Sequence, residues 1–240
     1  MNIIITGASR GIGRAIALEL AHKGNNILIN CARSKDALDG VSSIIMEHDC
    51  GCVTFMGDVS GHDVCRQMVD TAVAKFGSVD VLVNNAGISS VGLFQDMSAD
   101  EWDRIWRVNV GAVFNCCQLV LPHMISAKSG KIINISSVWG NVGASCEVAY
   151  SATKGAVNSL TKALAKEVAP SGIQVNAVAC GAIDTEMNSH LSDDDKSALA
   201  DEIPAGRFGT PAEIAHIVKQ LTEAPSYLTG QIITVDGGWT

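Results

Sequence analysis

Seven short runs rich in β-branched residues recur along the chain: Ile3 to Ile5, Ile27 to Asn30, Val53 to Asp58, Val79 to Asn84, Lys131 to Ser136, Gln174 to Ala179 and Gln231 to Val235. Each has the length of a strand. Between them, apolar residues return at three- and four-residue spacing, as in Ile12, Ala15, Ile16, Leu20 and in Val157, Leu160, Leu164, Val168. That is the period of an amphipathic helix. Strand and helix alternate throughout, which implies right-handed βαβ units. The expected fold class is therefore α/β: a Rossmann-type, doubly wound sheet of seven parallel strands with helices on both faces. No internal repeat, low-complexity tract or linker divides the chain, so residues 1–240 are expected to form a single domain.

One stretch breaks the alternation. From Gly181 to about Gly206 the chain is polar and acidic, with Ser192 followed by Asp193, Asp194 and Asp195, and it is longer than the usual connection of 2 to 6 residues. Loops of this length at a strand's carboxyl end commonly carry function. A lid insertion with one or two short helices is expected at about 182–206, the alternative being a solvated helical insertion.

Composition changes this picture little and narrows it. At 47 % apolar and 18 % charged, the 240 residues can bury a sizeable core without disulfides. The eight cysteines show no C-x-x-C pair, so buried reduced thiols are expected rather than a zinc site. The six histidines (His22, His48, His62, His123, His190, His216) lack ligand spacing, and no metal site is expected. A net charge of −8 lacks the positive field that nucleic acid or an anionic membrane surface would need. The chain enters a β-like run at once, without a basic leader, and no apolar stretch reaches the ~20 residues of a membrane span. A reducing cytoplasm is the expected compartment.

The candidate chemistry lies at strand ends. The first strand runs into Thr6-Gly7-Ala8-Ser9-Arg10-Gly11-Ile12-Gly13, a glycine-rich turn ahead of a helix. Such a turn lets the backbone approach a pyrophosphate, which the free N–H groups of the helix start then favour. Tyr150 and Lys154 are four apart on a predicted helix and share a face. A neighbouring ammonium would favour the phenolate and lower the phenol's ordinary pKa of about 10. Ser137 ends the fifth strand, thirteen residues before Tyr150, where its hydroxyl would polarise a carbonyl oxygen shared with the tyrosine. Strand alternation sends Ser136 to the other face. At the end of the second strand, Asn30-Cys31-Ala32-Arg33-Ser34 offers no acid to guard a ribose hydroxyl, and Arg33 with Arg10 supplies the cations a 2′-phosphate prefers. NADP(H) is the expected cofactor.

The glycine spacing, Asn84-Asn85-Ala86-Gly87 after the fourth strand and Tyr150-x-x-x-Lys154 together resemble the short-chain dehydrogenase/reductase family over essentially the whole chain. The resemblance implies that Gly7, Ser9, Arg10, Gly11, Ile12 and Gly13 cradle the cofactor phosphates. It implies that Asp58 and Val59 border the adenine, that Asn85, Ala86 and Gly87 line the floor, and that Ile183 and Thr185 meet the carboxamide. Tyr150 and Lys154 would touch the cofactor as well. Asn109 matches the family's fourth catalytic member beside Ser137, Tyr150 and Lys154, bonding a helix backbone and a water that links the lysine to solvent. The family usually has Pro-Gly where this chain has Cys180-Gly181, a departure that removes the restraint on φ at the nicotinamide end.

Within the family, Asn30 to Ser34, Asn84 to Ile88, Ile133 to Ser137 and Gly206 to Pro211 are most similar to the branch that reduces 3-oxoacyl groups on acyl carrier protein. That branch implies a role in fatty-acid synthesis. Reductases of free ketones, steroids and sugars are the alternative, because substrate choice lives in loops that hold Ser89, Phe94, Val138, Trp139, Val142, Cys146, Glu147 and Met187. A non-catalytic NADP-binding regulator would have lost Tyr150 or Lys154, which this chain keeps. Lys128 matches one basic docking position of that branch and Lys131 adds a second charge, while Ser171 stands where the other basic residue would be. The family also implies a homotetramer. The stripe Val113, Cys117, Val120, Met124 fits either a subunit interface or an internal helix seam.

Overall fold

A computed structural model describes residues 1–189 and 191–240 of the chain; His190 lies outside them. Strands β1 (Asn2–Ile5), β2 (Asn26–Cys31), β3 (Gly51–Met56), β4 (Val81–Asn84), β5 (Gly130–Ser137), β6 (Ile173–Cys180) and β7 (Ile232–Val235) form one sheet. Its order is β3-β2-β1-β4-β5-β6-β7, and every pairing is parallel. This is the doubly wound sheet of seven strands that the alternation predicts. Five strands differ from their expected bounds by one residue at one or both ends, and two differ by two residues. Val53 to Asp58 becomes Gly51–Met56, because the Gly57 amide bonds back to Cys31 and Asp58 Oδ1 accepts the Ser60 amide in a turn. Val79 and Asp80 precede β4, where the Asp80 carboxylate accepts the Asn2 amide at 2.8 Å.

Both faces of the sheet are covered, so its strands are apolar at successive positions. Ile3 and Ile5 point into a layer built with α1 (Gly11–Glu19), α2 (Lys35–Met46) and α9 (Pro211–Glu223). Ile4 points into the opposite layer, built with α3 (His62–Phe76), α5 (Ala112–Ala127) and α7 (Val148–Val168), which the short α6 (Trp139–Val142) precedes. The strand order reverses between β1 and β4. The crevice at their carboxyl ends is where a doubly wound sheet takes its ligand.

Helix α4 (Ala99–Trp106) continues into α5 through a π-helical turn, Arg107–Gly111. The joined run Ala99–Ala127 is long and apolar enough, by length and composition, to cross a membrane. It is not a continuous apolar stretch, because Asp100, Glu101, Asp103, Arg104 and Arg107 lie within its first third and Asn109, Asn115 and His123 follow. The run packs against α3 and α7 over the sheet. Val113, Cys117, Val120 and Met124 are all buried in that layer, so the stripe is an internal seam.

Between β6 and α9 the chain forms a 3-10 turn, Glu186–Asn188, and helix α8 (Asp193–Glu202). Ser192 caps α8 by accepting the Asp195 amide while the Asp195 carboxylate accepts the Ser192 amide. The segment touches the glycine turn through an ion pair of 2.6 Å between Arg10 and Glu186.

Candidate active site

The glycine turn is fastened to the end of β4 rather than standing free. Thr6 Oγ1 accepts the amides of Asn85 and Ala86, both at 3.0 Å, and Asn85 Nδ2 donates to the carbonyls of Thr6 and Gly7. Gly7 and Gly11 have φ of +66° and +53°, which only glycine adopts without strain. A Cβ on Gly13 would lie 2.3 Å from the Gly7 carbonyl oxygen and 2.4 Å from Asn85 Nδ2, so the third glycine allows helix and turn to touch. Among the described residues, no side chain caps the start of α1 after Arg10. Its first amides are left for an anion, and the turn fits a dinucleotide pyrophosphate.

The other residues expected at this end surround the crevice. Thr185 faces the turn, its Cγ2 being 3.6 Å from where a Gly11 Cβ would stand. Ile183 and Val59 are buried, and Asp58 is engaged with the Ser60 amide. Arg33 is exposed and forms no ion pair with a described residue. Arg10 differs: its guanidinium is held by Glu186, so Arg33 is the free cation of the two.

Helix α7 carries Tyr150 and Lys154 on one face, with Lys154 Nζ 5.5 Å from the tyrosine ring centroid. The ammonium group is buried and donates to the Ile135 carbonyl at 2.8 Å. At the end of β5, Ser137 Oγ accepts the Trp139 amide at 3.2 Å, which leaves the hydroxyl hydrogen free to point elsewhere. Ser136 turns the other way and bonds Asn158 Oδ1 at 2.6 Å. Asn109 sits in the π turn. Its side chain grips both backbone groups of Ile88 and donates to Thr153 Oγ1. The backbone it holds thus belongs to the loop after β4, not to a helix as the resemblance implies. A Cβ on Gly87 would lie 3.4 Å from Asn109 Oδ1 and 3.6 Å from Lys154 Nζ, so both groups face the same spot.

Burial decides the electrostatics. It raises Tyr150 above its ordinary value, with added contributions from Cys180 and Glu147, while a hydrogen bond with Ser137 pulls the other way. This reverses the lowering expected from the ammonium, because a desolvated phenolate is costlier than the neighbouring charge can offset. Burial also brings Lys154 down to about 8. Cys180 stands opposite Ser137 in the β5–β6 register and is pushed up to about 12 by burial, so it is a thiol at neutral pH. A protonated phenol, the serine hydroxyl bonded to it and a buried amine converging on one crevice can hold a carbonyl oxygen and give it a proton.

Several contributors have weak sequence signals. Thr6 is marked only by its place before Gly7. Thr153 accepts from Asn109 and donates to the Tyr150 carbonyl at 2.7 Å, one residue from Lys154. Trp239, one residue from the end of the sequence, packs against Trp139 with ring centroids 4.7 Å apart and the ring planes tilted by 60°. Its turn is held by Asp236, which accepts from the amides of Gly238 and Thr240. The basic docking positions fall elsewhere. Lys128 and Lys131 lie at the amino end of β5, the end opposite Ser137, and Lys131 Nζ donates to the Ala224 and Leu221 carbonyls at the end of α9. A patch at this chain's own cleft mouth is thus not what they form.

A nucleotide-type crevice of this kind, on a doubly wound sheet, defines a class that comparison with known proteins makes specific. The family model described as short chain dehydrogenase matches residues 1–196. The chain is 44 % identical over 236 residues to the 3-oxoacyl-[acyl-carrier-protein] reductase FabG of Staphylococcus epidermidis, covering 98 % of this chain and 97 % of that protein. It is 40 % identical over 238 residues to the uncharacterized oxidoreductase YmfI of Bacillus subtilis, covering 98 % and 97 %. Among solved structures, a short-chain type dehydrogenase/reductase from Mycobacterium marinum superposes with a TM-score of 0.93 at 38 % identity, covering 99 % of this chain and 94 % of that one. The chain belongs to the short-chain dehydrogenase/reductase family. It is an oxidoreductase acting on CH–OH/C=O groups, and its family uses a nicotinamide cofactor.

Proposed function

We propose that the protein is an NADPH-dependent reductase of 3-oxoacyl thioesters. The observation that carries the catalytic part is the convergence of Tyr150, Ser137 and buried Lys154 beside a glycine turn whose helix start is uncapped. Nicotinamide supplies the hydride when bound. Ser137 donates a hydrogen bond to the substrate carbonyl oxygen, and Tyr150 gives that oxygen its proton. Lys154, with Asn109 and Thr153 behind it, keeps a positive group near the phenol and orients it. Gly7, Ser9, Gly11, Ile12 and Gly13 hold the pyrophosphate, Arg33 the 2′-phosphate, and Asp58, Val59, Asn85, Ala86 and Gly87 the adenosine half. Ile183 and Thr185 hold the carboxamide, and segment 182–206 acts as the lid. The eight free cysteines accord with a reducing, cytoplasmic setting.

The thioester substrate is supported by the likeness to the staphylococcal enzyme. A second reading, a reductase of free ketones, is favoured by Ser171 in place of a basic residue and by the engagement of Lys131 with α9. Steady-state oxidation of NADPH and NADH with acetoacetyl thioesters, carrier-bound and free, beside cyclic, sugar and steroid ketones separates the two. Arg33→Ala removes one charge-assisted phosphate contact of roughly 1.5–3 kcal/mol, so NADPH should bind about ten- to a hundredfold less tightly while NADH is little affected. Equal losses for both cofactors would contradict the assignment of Arg33. Preference for a sugar or steroid ketone by orders of magnitude in kcat/KM would replace the thioester reading.

A further inference from the structure

We propose that Glu147 makes the cleft selective for neutral carbonyl substrates, such as thioesters and esters, against those with a carboxylate close to the reacting carbon. This deepens the reading above and rests on Tyr150 as the proton donor. Glu147 occupies the N-cap position of α7, three residues before Tyr150, where a short acceptor side chain would ordinarily bond the first amides of the helix. It makes no such cap. Instead its Oε2 accepts the Ser89 hydroxyl at 2.7 Å, and Oε1 has no hydrogen-bond partner among the described residues.

The geometry that aims Glu147 is over-determined. Ser89 follows Ile88, whose backbone is gripped on both sides by Asn109. The Gly92 amide donates to the Cys146 carbonyl at 2.8 Å, tying the loop after β4 to the residue before Glu147. Cys146 itself turns the chain at φ +62°. A half-buried carboxylate is therefore held beside the catalytic helix without serving that helix.

No ion pair with a described residue neutralises it. Its charge reaches the phenol, adding to the rise of Tyr150. The other titratable groups facing Tyr150 are Cys180, a thiol at neutral pH, and Lys154, whose ammonium is weakened by burial. A substrate whose carboxylate lies two bonds from the reduced carbon would bring a second negative charge into this partly desolvated space, where like charges repel more strongly than in water. A thioester at the same place is uncharged. The free Oε1 can also accept from an N–H or O–H of the substrate.

The test compares kcat/KM for acetoacetate with that for the N-acetylcysteamine thioester of acetoacetate, in the wild type and in Glu147→Gln, at low and high salt. Glutamine keeps the size of the side chain and an acceptor for Ser89. The anion-to-neutral ratio should rise about tenfold in Glu147→Gln at low ionic strength, and the pH limb assigned to Tyr150 should move to lower pH. In the wild type alone, salt should raise the same ratio by screening. An unchanged ratio in Glu147→Gln, or a ratio flat with salt in the wild type, overturns the inference. Tyr150→Phe distinguishes the two levels: if that variant still turns over, the catalytic reading fails. If it is inactive while the ratio ignores Glu147, only the selectivity role fails.

Discussion

Lys154 sets function against stability within one side chain. The residue is 5 % exposed, its ammonium has a single carbonyl as hydrogen-bond partner among the described residues, and its pKa is brought down to about 8 from 10.5. Between about pH 8 and 10.5 the unfolded chain holds a proton that the folded chain has given up, so stability rises with pH across that window. Below about pH 8 the full cost of burying the charge is present, on the order of 3 kcal/mol. Lys154→Met should therefore abolish most turnover yet raise the unfolding free energy at pH 7 by about 1–3 kcal/mol. The gain should shrink as pH approaches 10.5. Denaturant titrations at pH 7 and pH 10 check this, and a variant less stable than the wild type at both would show that the carbonyl bond outweighs desolvation. Tyr150 runs the opposite way. Its raised pKa keeps the phenol protonated in the folded chain, so stability should fall with pH above 10, where the unfolded chain ionises.

The elements that hold these residues are joined by contacts between backbones. The glycine turn between β1 and α1 closes against Asn85 so tightly that a methyl group on Gly13 would overlap the Gly7 carbonyl oxygen, 2.3 Å away. Overpacking against backbone cannot be relieved by a rotamer change. Gly13→Ala should cost about 1–3 kcal/mol of stability and weaken NADPH at least tenfold, because turn and helix start must part. Thermal melts with a fluorescence titration of NADPH measure both. Unchanged affinity would mean that the turn does not bear on the cofactor. The π turn at Arg107–Gly111 is a second device of this kind. It inserts an extra residue into one helical turn and presents Asn109 to Ile88 and Thr153.

At the scale of the whole molecule, the long helix Ala99–Ala127 turns one face inward and leaves another outward. Phe114 and Ile125 are about half exposed on that outward face, beyond the buried seam of Val113, Cys117, Val120 and Met124. A membrane span would need lipid-facing residues all round, whereas Asn109 and Asn115 here bond inside the domain. Association with further copies is the expected use of the outer face, and light scattering at micromolar concentration should give the mass of four chains of 25.1 kDa. Phe114→Glu, which puts a charge on that face without touching the core, should yield smaller species with a Tm within a few degrees of the unassembled chain. A wild-type monomer would refute this. Lys128 sits against Gly172, beside Ser171, at the amino end of β5, the end of that strand opposite Ser137.

Much of this was legible in the sequence because it is written in local periodicity and at strand ends. Runs of β-branched residues and helix-spaced apolar positions determine a parallel doubly wound sheet, since burial on both faces leaves such strands no other partner. The spacing of Gly7, Gly11 and Gly13, of Tyr150 and Lys154, and of Ser137 at its strand end places chemistry at the same edge of that sheet. Strand ends were less sharp, as at β3 and β4, because a turn bond from Asp58 or Asp80 outweighs β propensity. What only the tertiary structure decided is what depends on residues distant in sequence. The stripe on α5 proved an internal seam because α3 and the sheet lie over it. Lys131 was drawn to the end of α9, and Arg10 to Glu186, by partners 93 and 176 positions away. The direction of the Tyr150 shift likewise depends on how much water the fold removes, a quantity that spacing along the chain does not contain.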